Sequence, residues 1–160
     1  MKHLLLVLLS FIVVAVTAHA QVAIQLAPGD VDLDRFEVEV QETPAFGASG
    51  VKDKSIPRPR DWLEVEVKFE IKSRQDGVIP ELMFRYYVGF KDATGRARII
   101  TGDVKHKNMM TGEEYFSVAY VAPSTLGQIT GDFSSFQKSQ VEAVGVEVYY
   151  NGVIVGLEST

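Results

Sequence analysis

The chain has 160 residues, a formal net charge of −5 and no cysteine. A mildly acidic chain argues against nucleic acid and anionic lipid as partners, because both attract basic surfaces. The lack of cysteine excludes disulfides, and with them the small secreted scaffolds that depend on disulfides for their stability.

Residues 1–20 have the pattern of a secretory signal peptide. A basic start at Lys2 precedes an apolar run from Leu4 to Val16, and the segment ends in Ala-His-Ala, which is typical of a cleavage site. The apolar run is shorter than the roughly 20 residues that a membrane-spanning helix needs. We therefore predict export, cleavage after Ala20, a single mature domain over residues 21–160, and no membrane insertion after cleavage.

Two irregular strands and a long loop follow the predicted signal. Residues 21–27 alternate in polarity and predict a short first strand. Between Val31 and Val40 the apolar residues change parity, which indicates a turn or bulge near Asp34-Arg35. Residues 43–59 contain three prolines and two glycines and show no period, so we expect a long loop there.

The clearest strand pattern lies between Leu63 and Ile71, where apolar residues alternate with charged ones. Successive side chains of a strand point to opposite faces, so this segment has one buried face and one solvated face. The same reasoning predicts a strand from Leu82 to Phe90. Less regular strands are expected over residues 97–105 and 115–122.

The last third of the chain holds a second long connection and a hairpin. In the connection, Asp132 is expected to cap a short helical turn over Phe133 and Phe136. In the hairpin, two alternating segments meet at Asn151-Gly152. Asn-Gly tolerates positive φ at both central positions, as the type I′ turn of a two-residue hairpin requires.

These elements predict an all-β fold. Seven to eight short strands without a convincing amphipathic helix disfavour parallel βαβ folds. Strands with one polar face suit an antiparallel two-sheet sandwich of immunoglobulin-like or fibronectin-like architecture. A closed barrel of the lipocalin type buries the same stripe and is the main alternative.

The residues that catalysis needs are scarce. His106 is the only histidine after cleavage, has no acid nearby in the sequence, and is expected to lie exposed at a strand end. Carboxylate pairs for glycoside hydrolysis depend on a separation that the sequence does not give, and the available glutamates are better explained by solvated faces. These are Glu64, Glu66, Glu113 and Glu114. We predict no catalytic residue and no enzymatic activity.

Asp30, Asp32 and Asp34 have the spacing that opens the calcium loop of an EF-hand. The pattern then fails, because Arg35 occupies the position that needs glycine and Gln41 the position that needs glutamate. We predict no cofactor and no metal site, and calcium binding by the three aspartates is the alternative that the spacing leaves open.

Three aromatic residues are the candidate binding residues. Trp62 and Tyr87 fall on the polar parity of their strands, and Tyr149 lies opposite the parity of its apolar neighbours. Exposed aromatic rings on a sandwich stack on sugars or anchor a protein partner. The structural alternative is that the loop over residues 43–59 folds back and covers Trp62.

A family resemblance rests on the signal peptide, the "PAFGASG" and "RPRDWLEVEVKFEI" segments and the final "VEVYYNGVIVG" hairpin. With these, the chain resembles the small secreted immunoglobulin-like proteins of a type IV pilus-like gene cluster in verrucomicrobial, Akkermansia-type gut bacteria. The resemblance implies a sandwich fold, an extracytoplasmic or surface location, and a pilus-associated or host-interacting role. It implies no catalytic or binding residues.

The expected function is therefore a secreted, non-enzymatic binding or assembly module of the bacterial cell envelope. Its expected partner is an envelope or host protein, bound through strand edges and outward faces. The alternative is a carbohydrate-binding module that uses Trp62, Tyr87 and Tyr149 as a stacking platform.

Overall fold

A computed structural model describes residues 24–43 and 58–160. The predicted signal peptide and most of the loop over residues 43–59 lie outside the described residues. Seven strands occur in the described part of the chain. They are β1 (Val31–Glu42), β2 (Asp61–Ile71), β3 (Val78–Lys91), β4 (Ala97–Met110), β5 (Glu114–Val121), β6 (Val141–Tyr150) and β7 (Val153–Ser159).

The strands form two antiparallel sheets, which confirms the predicted sandwich. One sheet has the order β1-β2-β5 and the other the order β4-β3-β6-β7. In a constant-type immunoglobulin domain, the fourth strand joins the sheet of the first, second and fifth. Here β4 pairs along its whole length with β3 instead, from Ala97 opposite Lys91 to Met110 opposite Val78. The three-stranded sheet is therefore left with β5 as an outer strand.

The core is built from the apolar parity of β2, β3 and β6. Every second residue from Leu63 to Ile71 is at most 1% exposed, and the alternating residues of β3 and β6 face it from the other sheet. Phe69 and Phe84 meet across the two sheets with ring centroids 4.6 Å apart. The apolar residues of the alternating pattern thus form the core, and the charged residues between them face the solvent.

Two local predictions about the backbone are confirmed. The register of β1 against β2 shifts between Leu33 and Phe36, so the parity change in the sequence marks a bulge at Asp34-Arg35. Asn151 and Gly152 have φ values of 49° and 80° and join β6 to β7. The expected strand over residues 21–27 is not found in its described part, where Ile24 and Leu26 are buried without strand structure.

The second long connection contains a helix that the sequence did not predict. Helix α1 (Pro123–Thr130) begins with a proline in its first turn and ends at Gly131, whose φ is 80°. Buried Leu126 holds the helix on the core. The predicted helical turn over Phe133 and Phe136 is wrong, since Asp132 instead accepts hydrogen bonds from the backbone N–H groups of Ser134 and Ser135 in an irregular turn. A short 3-10 turn (Lys138–Gln140) then leads into β6.

The open edges of β1 and β7 lie against each other on one side of the sandwich. The N–H of Gly29, just before β1, donates to the carbonyl of Val155 at 2.9 Å. A Cβ on Gly156 would lie 2.7 Å from the Val31 carbonyl oxygen, so this approach requires glycine.

No helix in the described ranges is long and apolar enough to span a membrane.

Candidate functional site

The three candidate aromatics lie on two different outer faces. Tyr87 on β3 and Tyr149 on β6 share the outer face of the four-stranded sheet, where Tyr87 pairs with Gly145 and Met83 with Tyr149, on either side of Glu147. Trp62 lies at the start of β2, on the outer face of the other sheet. The three residues therefore do not form one continuous platform.

Tyr87 and Tyr149 belong to a connected polar cluster. Both hydroxyls donate to Oε2 of Glu147, each at 2.6 Å. These bonds lower the pKa of the Glu147 carboxyl and raise the pKa of Tyr149 to about 12. Arg85 binds both carboxylate oxygens of Asp103, at 2.8 and 3.0 Å, and its guanidinium carbon lies 5.6 Å from the centre of the Tyr149 ring. Both hydroxyls and part of one ring face are thus already engaged within the protein.

Trp62 is half-buried and fixed at its polar end. Its Nε1 donates to Oγ1 of Thr43 at 3.2 Å, and the same hydroxyl accepts from the backbone N–H of Arg60. The loop that would cover Trp62 in the structural alternative lies outside the described residues over positions 44–57. The contacts of Trp62 thus join the end of β1 to the start of β2.

The three aspartates near β1 are engaged separately. Asp30 accepts from the backbone N–H of Ala27 at 2.8 Å, Asp32 forms an ion pair with Lys72, and Asp34 accepts from the N–H of Arg35. Within the described ranges, no group of three or more histidine or acidic side chains is arranged to hold a metal ion. The contacts seen give these carboxylates local structural roles.

His106 is not an exposed residue at a strand end, and that expectation is wrong. It lies within β4 on the side facing the core, where its ring is 5.0 Å from Phe84 and 5.6 Å from Phe69. Its Nε2 is 2.8 Å from Oγ of Ser117 on β5, and burial lowers the pKa of the imidazole. Ser117 is fully buried, so this side-chain contact links β4 to β5 across the two sheets.

The outer surface of β5 is a further candidate site, and it is not among those predicted from the sequence. From Tyr115 to Val121 the strand carries no charged residue, and two of its outward aromatic side chains are more than half exposed: Phe116 at 57% and Tyr120 at 58%. No strand of the described part pairs with the second edge of β5. A row of unpaired backbone N–H and C=O groups on such an edge is a template for another strand. We call this surface, Tyr115–Val121, the β5 edge.

Within the described residues, the other strand edges are protected in ways that the β5 edge is not. The edges of β1 and β7 face each other, as described above. The outer edge of β4 carries charged side chains, including Arg98, Lys105 and Lys107, which discourage pairing with foreign strands. The signal for the β5 edge was present in the sequence as an uncharged run of aromatic and β-branched residues, but only the topology shows that this run is an outer strand.

A cleft of about 470 Å³ lies beside the β5 edge, between β5 and β4. Its walls include Ile100 and Gly102 from β4 and Ala119 and Val121 from β5, and Tyr86 from β3 also lines it. The space is open where Gly102 and Ala119 line it, because both residues are small. A Cβ built on Gly102 meets no atom within 4 Å. We call this space the β4–β5 cleft.

The Tyr86 hydroxyl has no hydrogen-bond partner among the described residues. Tyr86 is 2% exposed, and burial raises the pKa of its phenol to about 12. Because Tyr86 lines the β4–β5 cleft, it lies beside the residues of the β5 edge that line the same space.

The outer face of the three-stranded sheet is acidic beside Val118 and Tyr120, whereas Lys68 lies opposite Phe116 and pairs with Glu114. Glu64 and Glu66 on β2 lie opposite Tyr120 and Val118, and interaction with Glu64 raises the pKa of the Tyr120 phenol. Glu37 and Glu39 of β1 lie opposite those of β2, and Glu39 forms an ion pair with Lys138. Tyr120 and Val118 thus border a negatively charged surface.

Comparison with known proteins gives a family match and a structural match. A family model matches residues 23–160. A crystal structure of a protein from Akkermansia muciniphila is similar with a TM-score of 0.65 and 26% sequence identity, over 81% of this chain and 69% of that one. The Northeast Structural Genomics Consortium target SoR45 has a TM-score of only 0.25 and 9% identity, over 81% of this chain and 85% of that one. No curated protein matches the chain.

Proposed function

Because the chain belongs to the family of Akkermansia-type pilus-like proteins, we propose that it is a non-enzymatic binding and assembly module of the bacterial cell envelope. Its working location is extracytoplasmic, in line with the signal-peptide pattern of residues 1–20. Its partner is an envelope or host protein, and the family resemblance favours a pilus-associated role. Neither a nucleic acid nor a lipid bilayer is the expected partner of this acidic chain.

The observation that carries this proposal is the bare β5 edge. Native sheets normally protect their outer strands with charges, prolines, bulges or covering segments. An uncharged edge flanked by the exposed rings of Phe116 and Tyr120 lacks these protections in the described part of the chain. A partner strand gains main-chain hydrogen bonds along such an edge, and the two rings supply apolar contact area.

Site-specific photo-cross-linking tests the proposal. A photoreactive phenylalanine derivative replaces Phe116 in one variant and Phe133 in the other, which are matched in residue type and in exposure, at 57% and 51%. In intact cells of the source organism, we expect a specific protein adduct at position 116 and none at position 133. No adduct at position 116, or the same adducts at both positions, would overturn the proposal.

A carbohydrate-binding function is the second candidate. It is favoured by the two tyrosines on the outer face of the four-stranded sheet, which share one glutamate. Their occupied hydroxyls and the guanidinium beside Tyr149 weigh against free stacking. On a glycan array, binding that is lost in a Tyr149→Ala variant supports this function, whereas the absence of binding to any glycan removes it.

A further inference from the structure

The β4–β5 cleft gives the β5 edge a means to select one strand over another. We infer that it is the specificity pocket for a partner strand of alternating chemistry, with a large apolar side chain pointing inward and basic side chains pointing outward. This inference rests on the proposed function, because it names the chemistry of the strand that adds to the β5 edge.

The inward direction follows from strand geometry. Directly opposite residues of paired strands point to the same face of a sheet. The side chain of Ala119 points into the sandwich, so the partner residue opposite Ala119 also points inward. It then lies over the gap left by Gly102, where there is no side chain to meet it.

The chemistry of the inward residue follows from the lining of the cleft. Ile100, Val121 and the Tyr86 ring make the walls largely apolar, and the volume of about 470 Å³ exceeds what a small side chain fills. Leucine, isoleucine, methionine or phenylalanine at this position removes apolar surface from water on both sides. The next inward position of the partner strand lies opposite Ser117. The contact between Ser117 and His106 joins the two sheets there and leaves little space, so a small residue is required at that position.

The chemistry of the outward residues follows from the charge of the neighbouring strand. Partner residues opposite Val118 and Tyr120 lie on the outer face, two strand spacings or about 10 Å from Glu66 and Glu64. Lysine and arginine side chains extend across that distance over the rings of β5, where cation–π contact adds to the attraction. A second copy of this chain is a poor occupant, because its own outer face is acidic.

Short synthetic peptides test this inference with the intact mature protein. The first alternates lysine with apolar residues and has leucine at the central inward position, the second has glycine in place of that leucine, and the third has glutamate in place of every lysine. We expect the leucine peptide to bind at least about tenfold more tightly than either of the others in a titration followed by calorimetry. Equal affinity for the leucine and glycine peptides, or binding of none of the three, would overturn the inference.

A matched pair of protein variants completes the test. Ala119→Leu fills the cleft from β5, and Ala97→Leu makes the same change at an exposed position of β4 on the other side of the sheet. We expect Ala119→Leu to lower the affinity for the leucine peptide about tenfold without lowering the affinity for the glycine peptide, and Ala97→Leu to leave both affinities unchanged.

A third variant, Gly102→Val, places a side chain in the open space from the opposite wall of the cleft. We expect it to lower the affinity for the leucine peptide as Ala119→Leu does. If both cleft variants bind the leucine peptide like the wild type, the inference is wrong, whereas the proposed function is decided separately by cross-linking at position 116.

Discussion

Phe69→Ala is expected to lower the free energy of unfolding by about 3–5 kcal/mol, which is the usual cost of removing a fully buried phenylalanine. Phe69 is 1% exposed and joins the two sheets. Its ring lies 4.6 Å from Phe84 of the facing sheet and 5.6 Å from Tyr115 on the neighbouring strand. Urea denaturation followed by circular dichroism measures the change.

Phe116→Ala is the matched control for this stability prediction. It removes the same side chain from the outer face of β5, where the ring is 57% exposed. We expect its free energy of unfolding to stay within about 0.5 kcal/mol of the wild-type value. If both variants lost a similar amount of unfolding free energy, this would contradict the assignment of Phe69 to the core face and of Phe116 to the outer face of the sheet.

The second large effect concerns binding. Removing both outward aromatic side chains with the double substitution Phe116→Ala and Tyr120→Ala is expected to weaken the partner captured at position 116 by about 30-fold, or about 2 kcal/mol. Aromatic side chains dominate the energy of many interfaces, and these two are the large apolar groups on the outer face of the β5 edge. Surface plasmon resonance with the identified partner measures the affinity.

Phe133→Ala provides the control for the binding prediction, because Phe133 is exposed to a similar extent but lies in the turn after α1. Its affinity is expected to equal that of the wild type. A double variant that binds as tightly as the wild type would show that the partner does not contact the outer side chains of β5.

Much of the fold follows from local sequence patterns. Alternation identifies β2, β3 and β6 because one face of each strand is buried and the other is solvated. The parity change at Asp34-Arg35 locates the bulge, and Asn151-Gly152 locates the tight turn, because both are consequences of local backbone geometry. The sandwich then follows from the need of each sheet to bury one face.

The parts that the sequence left open depend on contacts between distant residues. Helix α1 has eight residues and is held by the burial of Leu126, so its own sequence gives little periodic signal. The prediction that His106 is exposed is wrong because the flanking lysines point outward while the imidazole turns toward Ser117. The pairing of β4 with β3 is likewise set by the whole sheet.

The candidate site shows the same division between local and long-range information. Parity correctly places Tyr87, Tyr149 and Trp62 on outer faces, but only the strand order separates Trp62 from the other two. The β5 edge and the β4–β5 cleft exist because β5 is an outer strand and β4 has joined the opposite sheet. No pattern within residues 115–121 alone reports that arrangement.

Amide hydrogen exchange tests the central claim most directly, because strand addition protects backbone N–H groups. The measurement compares the free protein with its complex with the partner captured at position 116. We expect exchange to slow at alternate residues of Tyr115–Val121, those whose N–H groups point away from β2, with little change in β7. Unchanged exchange along β5 in a complex that has formed would contradict strand addition at this edge.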